Sequence, residues 1–231
     1  MIIPYPLQDK ELIQSSMVLA ASPEPIAEDV YTVSAFVPRG SYVSLGASNS
    51  LDTNVHLDNC LADGVQVFKR LSGGEAVFLP PNCTVFSAIQ VSNHPYKASE
   101  FFAANLDAIS LCLRQLGVQR VDLRGISDLA IGDKKILGSA IYRKTRFILF
   151  QAVLNVCESP QVIQKYLLHP IREPDYRKSR SHSDFVTSLH LAGYPFSPQE
   201  IAAKLRCLTL INALEQGRKE KFENNVLYAI L

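Results

Sequence analysis

Hydrophobic positions along this chain follow two periods. Short β-branched and aromatic runs predict strands, and apolar residues at intervals of three and four predict helices. Residues 30–37 (VYTVSAFV) read as one strand and residues 42–45 (YVSL) as a second, with Pro38, Arg39 and Gly40 as the turn between them. Residues 51–62 carry Leu51, Val55 and Leu61 near helical spacing and stop at Gly64, after which VQVFKR reads as another strand. The most regular helical pattern begins at Ser99, a natural N-cap, and runs to Gly117 with Phe102, Leu106, Ile109, Leu113 and Leu116 on one face.

Further on, RVDL and then SDLAIGDKKILGSAIY predict strands around a tight IGDKK turn, to which Gly132 and Asp133 bring the turn chemistry. FILFQAVLNV is almost continuously apolar and predicts a strand covered on both faces. The last third reads as more helical. Ser159 and Pro160 start one helix, and Ser197-Pro198-Gln199-Glu200 is a capping box opening a second that reaches about Gln216. Between them residues 171–186 (IREPDYRKSRSHSDFV) are polar and arginine-rich, which predicts an exposed connection, with Arg172, Arg177, Arg180, His182 and Asp184 as a solvated cluster. Mixed strands with inserted helices and no strong linker predict a single α/β or α+β domain over residues 1–231.

Charge narrows the function classes. Lys and Arg total 23 against 22 Asp and Glu, so no strong field draws the chain to nucleic acid or to an anionic membrane, and an anionic ligand must be held locally. Cys60, Cys83, Cys112, Cys157 and Cys207 are odd in number and form no CxxC pair or zinc-spaced cluster with His. That usage suits a reduced cytosol and argues against both a disulfide framework and a structural metal. The N-terminus lacks the layout of a signal peptide and no apolar run is long enough to span a bilayer, so a cytoplasmic protein is expected.

Two segments hold the candidate chemistry: KRLSGGEAVF at residues 69–78 and SDLAIGDKKILGSA at residues 127–140. Each sets cationic side chains and glycines beside a strand, so that backbone N–H groups can come close to an anion while a fixed positive charge faces it. Alone, a double glycine at a strand edge is an ordinary bulge or turn and GDKK an ordinary hairpin tip. Neither segment is a GxxxxGK[ST] or GxGxxG loop.

Together, in this order, the two segments resemble the hallmark motifs of lipoate-protein ligase A in the biotin/lipoate protein ligase superfamily. Those are an RRxSGGGxVFHDxGNxNxS-like run and then NDLxxxGKKIxGSAxR. VSLGASN at residues 43–49 and the stretch at residues 166–189 that ends DFVTSL extend the likeness to a motif-bearing core at about 30–190, followed by a helical extension at about 197–231. The resemblance implies an α+β fold, with a central mixed β-sheet flanked by helices, and a ligase that activates lipoate with ATP and magnesium (Mg2+) to lipoyl-AMP. The lipoyl group would pass to a lysine on a lipoyl domain of a 2-oxo acid dehydrogenase complex or on the glycine cleavage H protein.

By the same resemblance, Arg70 matches the arginine that contacts the nucleotide phosphates. Ser72, Gly73 and Gly74, with Glu75 in the place of a third glycine, match the loop that closes over the adenylate, and Ala76, Val77 and Phe78 match the strand beside it. Lys135 matches the lysine that meets both the acyl carboxylate and the phosphate, Asp128 the acidic residue of the NDL element, and Gly138, Ser139 and Ala140 the segment against the ligand. Lys135 is the expected catalytic residue. Adjacent strand residues face opposite sides, so Lys134 is expected in solvent.

The chain departs from the family pattern at four places. Glu75 sets a carboxylate beside a phosphate site, LPPNC at residues 79–83 replaces HDxGN, Phe150 and Gln151 stand where a His pair is common, and Ser127 replaces an asparagine. Fewer than about fifty residues follow DFVTSL, short of an ordinary accessory domain, so the accessory function is expected in a remnant or on a separate chain. Alternatives are a transferase that accepts preformed lipoyl-AMP, an ATP-independent lipoyl or octanoyl transferase with a cysteine nucleophile, for which Cys83 is the nearest thiol, and a non-catalytic binding relative. A biotin ligase is a poorer match, because RLSGGEA is unlike a GRGRxGR loop.

Overall fold

The computed structural model describes residues 2–215. Its strands are β1 (Ile2–Ile3), β2 (Val30–Phe36), β3 (Tyr42–Leu45), β4 (Gln66–Lys69), β5 (Val77–Leu79), β6 (Cys83–Val91), β7 (Val121–Arg124), β8 (Asp128–Ile131), β9 (Lys134–Lys144) and β10 (Phe147–Asn155). The helices are α1 (Lys10–Ala21), α2 (Leu51–Asn54), α3 (Leu57–Ala62), α4 (Ala98–Gln115), α5 (Pro160–Tyr166), α6 (His182–Phe185) and α7 (Pro198–Glu215), with one 3-10 turn at Asp175–Arg177. The stretch expected beyond Glu215 lies outside the described residues.

The strands build two sheets. Six run antiparallel in the order β2-β6-β10-β9-β8-β7, and four form a smaller sheet in the order β1-β4-β3-β5. In the smaller one β4 is parallel to β1 and β3, while β5 is antiparallel to β3. The fold is α+β, and its mixed pairing is confined to the small sheet.

Directly opposed residues of neighbouring strands share a face, so the register tells what each face covers. Ser139, Ala152, Phe86 and Ala35 form one row across the large sheet. Its last three members lie in a core closed by α4 through Phe101, Leu106, Ile109 and Leu113 and by α7 through Ile201 and Leu205. The adjacent row, Gly138, Val153, Val85 and Phe36, points to the opposite face. There Val85 and Phe36 meet Phe68 and Leu79 of the small sheet. Farther along that face Ile89 and Leu149 pack on Ile13 of α1. One half of this face is therefore sealed by a helix, and the other is roofed by the small sheet.

Several expected elements appear where their chemistry placed them. Gly132, with φ +63°, turns β8 into β9, and β10 is covered on both faces, with Leu149 and Phe150 each at most 1 % exposed. Ser197 and Glu200 form the reciprocal cap, Ser197 N–H donating to Glu200 Oε2 at 2.8 Å and Glu200 N–H to Ser197 Oγ at 3.2 Å. Ser159 caps α5, its Oγ accepting from Gln161 N–H at 3.3 Å.

Other elements differ. The helix expected over residues 51–62 is two short ones, because Val55 is extended (φ −133°, ψ 135°) and bridges to Leu167. Helix α4 takes Lys97 rather than Ser99 as its N-cap, the Lys97 N–H donating to Glu100 Oε2 at 3.3 Å. Strand β6, unread in the sequence, is buried at every position, and its polar members hide the apolar pattern. Each of those is satisfied internally: Thr84 Oγ1 donates to the Pro198 carbonyl, Ser87 Oγ to Asp9, and Gln90 Oε1 accepts from Tyr96 N–H.

Candidate active site

Where the small sheet roofs the large one, a cavity of about 1040 Å³ opens. Arg70, Gly74, Glu75, Ala76, Val77 and Phe78 of the first motif line it, and so do Asp128, Lys135, Gly138, Ser139 and Ala140 of the second. The two motifs come together because β3 pairs with β5, which carries the end of the first motif, while β9 presents the second from the facing sheet. Ser72 and Gly73 stand apart from the lining. Ser72 is 1 % exposed and builds the loop, its Oγ accepting from Arg70 Nε at 3.1 Å and its carbonyl from Ala47 N–H at 3.0 Å.

Arg70 acts here as the staple of its own loop. Its Nη1 donates to the Ser44 carbonyl at 2.9 Å, and its Nη2 to the carbonyls of Gly73 at 2.6 Å and Glu75 at 2.9 Å. Burial pulls the guanidinium down to about 10, which leaves it charged at neutral pH. The loop also presses on the end of β3. A Cβ on Gly46 would stand 1.9 Å from the Gly74 carbonyl oxygen, a contact possible only without a side chain. Gly74 has φ +85°, which glycine adopts freely, whereas a Cβ on Gly73 would meet nothing within 4 Å. The indispensable pair is therefore Gly46 and Gly74, not the adjacent glycines.

Lys135 reaches into the cavity from the start of β9, and Lys134 is exposed, as alternation requires. Its Nζ lies 2.8 Å from Asp128 Oδ1, with side-chain exposures of 28 % and 6 %. The lysine folds across Gly138, where a Cβ would approach Nζ to 2.7 Å. Asp128 Oδ2 accepts the Tyr176 hydroxyl at 2.9 Å. Behind the lysine, Thr187 N–H donates to the Lys135 carbonyl at 2.9 Å, so the DFVTSL stretch fixes the strand that presents it.

Glu75 has two partners. Its Oε2 accepts from Asn54 Nδ2 at 2.9 Å and its Oε1 from Arg172 N–H at 3.3 Å, which ties the glycine loop to residues 171–186. That segment was expected as an exposed connection, and the structure corrects this: Arg177 is 4 % exposed and His182 9 %. The Arg177 guanidinium lies 4.9 Å from the centre of the Phe185 ring, and Arg180 Nη1 pairs with Asp133 at 2.7 Å. Only Arg172 and Asp184 of the cluster remain in solvent. A polar segment becomes buried here because guanidinium groups stack on an aromatic ring while bonding to carbonyls.

Tyr5, Asn54, Gln151 and Tyr176 line the cavity too and were not read from the sequence. At the wall formed by β10, Gln151 Nε2 donates to Tyr5 Oη at 2.8 Å, and Tyr5 in turn donates to the buried Asp9 at 2.8 Å. Burial pushes the Asp9 carboxyl up. Phe150, the other member of the pair, points to the helical core, stacking edge-on with Phe86 at 6.1 Å. Cys83 is buried, its thiol raised by burial and donated to the Pro80 carbonyl at 3.1 Å, which makes it a packing residue and no nucleophile.

His182 gives the site a pH dependence. Burial pulls its pKa down to about 4, and Nε2 bonds the Leu168 carbonyl at 3.0 Å. The unfolded chain protonates near about 6.5, so the neutral-histidine contribution is fully present above that pH. It is lost as the pH falls from about 6.5 to about 4, a change of roughly 3 kcal/mol. Thermal melting of a His182→Gln variant should show a flatter decline over this window than wild type; an identical decline refutes the assignment.

Comparison with known proteins agrees with this geometry. The model of the lipoyl protein ligase A/B catalytic domain matches residues 26–208. Lipoate-protein ligase A of Psychrobacter cryohalolentis is 32 % identical over 131 residues, 56 % of this chain and 37 % of that protein. The chain thus matches less than half the length of its curated relatives. A bipartite lipoate protein ligase from Thermoplasma acidophilum, described with its E2 lipoyl domain, superposes with a TM-score of 0.72 at 18 % identity over 92 % of this chain and 82 % of that one. A lipoate-protein ligase A bound with ATP gives 0.66 at 20 % identity over 87 % and 80 %. With both motifs on one cavity and most of its length matched, this chain belongs to the lipoyl protein ligase A/B catalytic domain family.

Proposed function

We propose that this chain is the catalytic part of a lipoate-protein ligase, which activates lipoate with ATP to lipoyl-AMP and delivers the lipoyl group to a lysine of a lipoyl domain. The observation that carries the reading is Lys135, whose ammonium is held at 2.8 Å by Asp128 and projects into a cavity of about 1040 Å³ bounded by the glycine loop. Joining a carboxylate to an α-phosphate brings two anions together, and a fixed cation between them offsets their repulsion where negative charge grows. The glycine loop would cover the adenylate, and Gly138, Ser139 and Ala140 would lie along it. Magnesium is expected as the counter-ion of the nucleotide, held mainly by phosphate oxygens. The lipoyl domain described with the Thermoplasma ligase supports the same class of acceptor here. Release of pyrophosphate that requires both lipoate and ATP, with label appearing on an apo-lipoyl domain, tests the proposal. Its absence in the presence of both substrates, or of an accessory chain as well, refutes it.

One observation favours a second reading, transfer from preformed lipoyl-AMP. All three Arg70 nitrogens are engaged inside the protein, and Glu75 occupies the Arg172 amide, so groups that could meet phosphates are already bonded. Replacing Glu75 with Gly frees that amide and removes a negative charge. If ATP competes with Glu75, the Kd for ATP measured by calorimetry should fall about tenfold, equivalent to about 1.4 kcal/mol. Weaker ATP binding in the variant would instead give Glu75 a supporting role.

A further inference from the structure

Asp128 is held from both sides. Lys135 Nζ lies 2.8 Å from Oδ1, and the Tyr176 hydroxyl donates to Oδ2 at 2.9 Å. Ser127 Oγ adds a longer contact to Oδ1 at 3.4 Å. Among the described residues Tyr176 is the hydrogen-bond donor to Oδ2. It is remote in sequence and arrives on the 3-10 turn Asp175–Arg177. Its ring lies 4.9 Å from that of Phe185, and Arg180 in the same segment clamps the β8–β9 turn through the Asp133 carboxylate at 2.7 Å and carbonyl at 2.9 Å. The tyrosine is thus anchored independently of the carboxylate that it touches.

A carboxylate gripped at one oxygen still turns about its last torsion, where the rotamer wells are broad. Lysine adds four flexible carbons of its own. A second anchor on Oδ2 removes the carboxylate's rotation and so narrows where the ammonium can rest. Gly138 provides no side chain to do this, since the lysine lies across it. We infer that Tyr176 is a positioning residue for Lys135, acting through Asp128, to set the ammonium where the acyl carboxylate and the α-phosphate meet. The inference rests on the ligase reading above for its consequence, but its geometry can be tested apart from it.

The variant is Tyr176→Phe, which keeps the ring on Phe185 and deletes one hydroxyl. In lipoate- and ATP-dependent pyrophosphate release, kcat should fall at least tenfold while KM for each substrate stays within about twofold and the variant stays folded, its melting temperature lowered by a few degrees at most. Added to Asp128→Asn, the same change should cause no further loss, because its route to Lys135 is already cut. An unchanged kcat, or an equal fractional loss in both backgrounds, overturns the inference. Acetic anhydride labelling of Lys135, followed by peptide mass spectrometry with Lys10 as reference, reads the position of the amine without turnover. Labelling should be several-fold faster in Tyr176→Phe, and an equal rate overturns the inference. A wild-type protein that releases no pyrophosphate would sink the ligase reading and leave the labelling to decide on Tyr176.

Discussion

Under the proposed ligase activity, Lys135→Ala should form lipoyl-AMP about a thousandfold more slowly than wild type while remaining folded. A cation about 4 Å from developing negative charge, at an effective dielectric near 20, contributes roughly 4 kcal/mol, and each 1.36 kcal/mol is a factor of ten in rate. The native state loses less. Asp128, 4 % exposed, keeps the Tyr176 hydroxyl and Ser127 Oγ when its lysine partner goes. The cost of the unpaired charge is then about 1–3 kcal/mol, a fall of several degrees in Tm for a chain of this size. Pyrophosphate release and transfer to an apo-lipoyl domain, measured beside a thermal melt, separate the two effects. Turnover within about threefold of wild type in a folded variant would remove Lys135 from the chemistry.

Gly46→Ala should be nearly as damaging, although Gly46 lies outside both motifs. Its new methyl would stand 1.9 Å from the Gly74 carbonyl oxygen and 2.9 Å from Asn49 Oδ1, which itself accepts the Gly46 N–H at 2.9 Å. The obstacle is backbone, so the glycine loop must move, and overpacking of this kind costs about 1–3 kcal/mol. A loop displaced by about 1 Å costs on the order of a hundredfold in rate. Gly73→Ala is the control: with nothing within 4 Å of its Cβ and no positive φ, it should stay within about twofold of wild type. Equal activity of the two variants would show that the loop is not held by this contact.

That contrast shows how much of the site was legible. RLSGGEAVF and SDLAIGDKKILGSA were legible as a pair, because each sets cations and glycines close together in the chain and their order resembles the ligase motifs. The resemblance singled out Lys135, and strand alternation then put its neighbour Lys134 in solvent. The contacts that give these residues their roles are long-range. Asp128 and Tyr176 are 48 positions apart, Asn54 and Glu75 21, and Glu75 and Arg172 97. No local period reports such pairs. Glu75 read as a misfit beside a phosphate site, and the fold gives it two hydrogen-bond partners. Arg70 read as a phosphate contact, and the fold spends its donors on the loop. The arginine-rich segment read as solvated, because polarity in sequence does not reveal an aromatic ring such as Phe185 brought under it.

The same division runs through the fold. Elements set by nearest neighbours were legible: the β8–β9 turn at Gly132 and Asp133, the reciprocal cap at Ser197 and Glu200, and the doubly covered strand β10. Strand β6 was not, since its Thr84, Ser87 and Gln90 are buried only because Pro198, Asp9 and Tyr96 arrive to satisfy them. Periodicity, turn chemistry and motif spacing are local, so the residues alone were enough to read mixed strands and helices in one α/β or α+β chain with two segments of clustered cations and glycines, and the resemblance narrowed this to α+β with Lys135 inward. That Gly46 must have no side chain, that Glu75 ties two segments together and that Tyr176 grips Asp128 came from the fold, because each depends on atoms distant in sequence that meet only when the chain is folded.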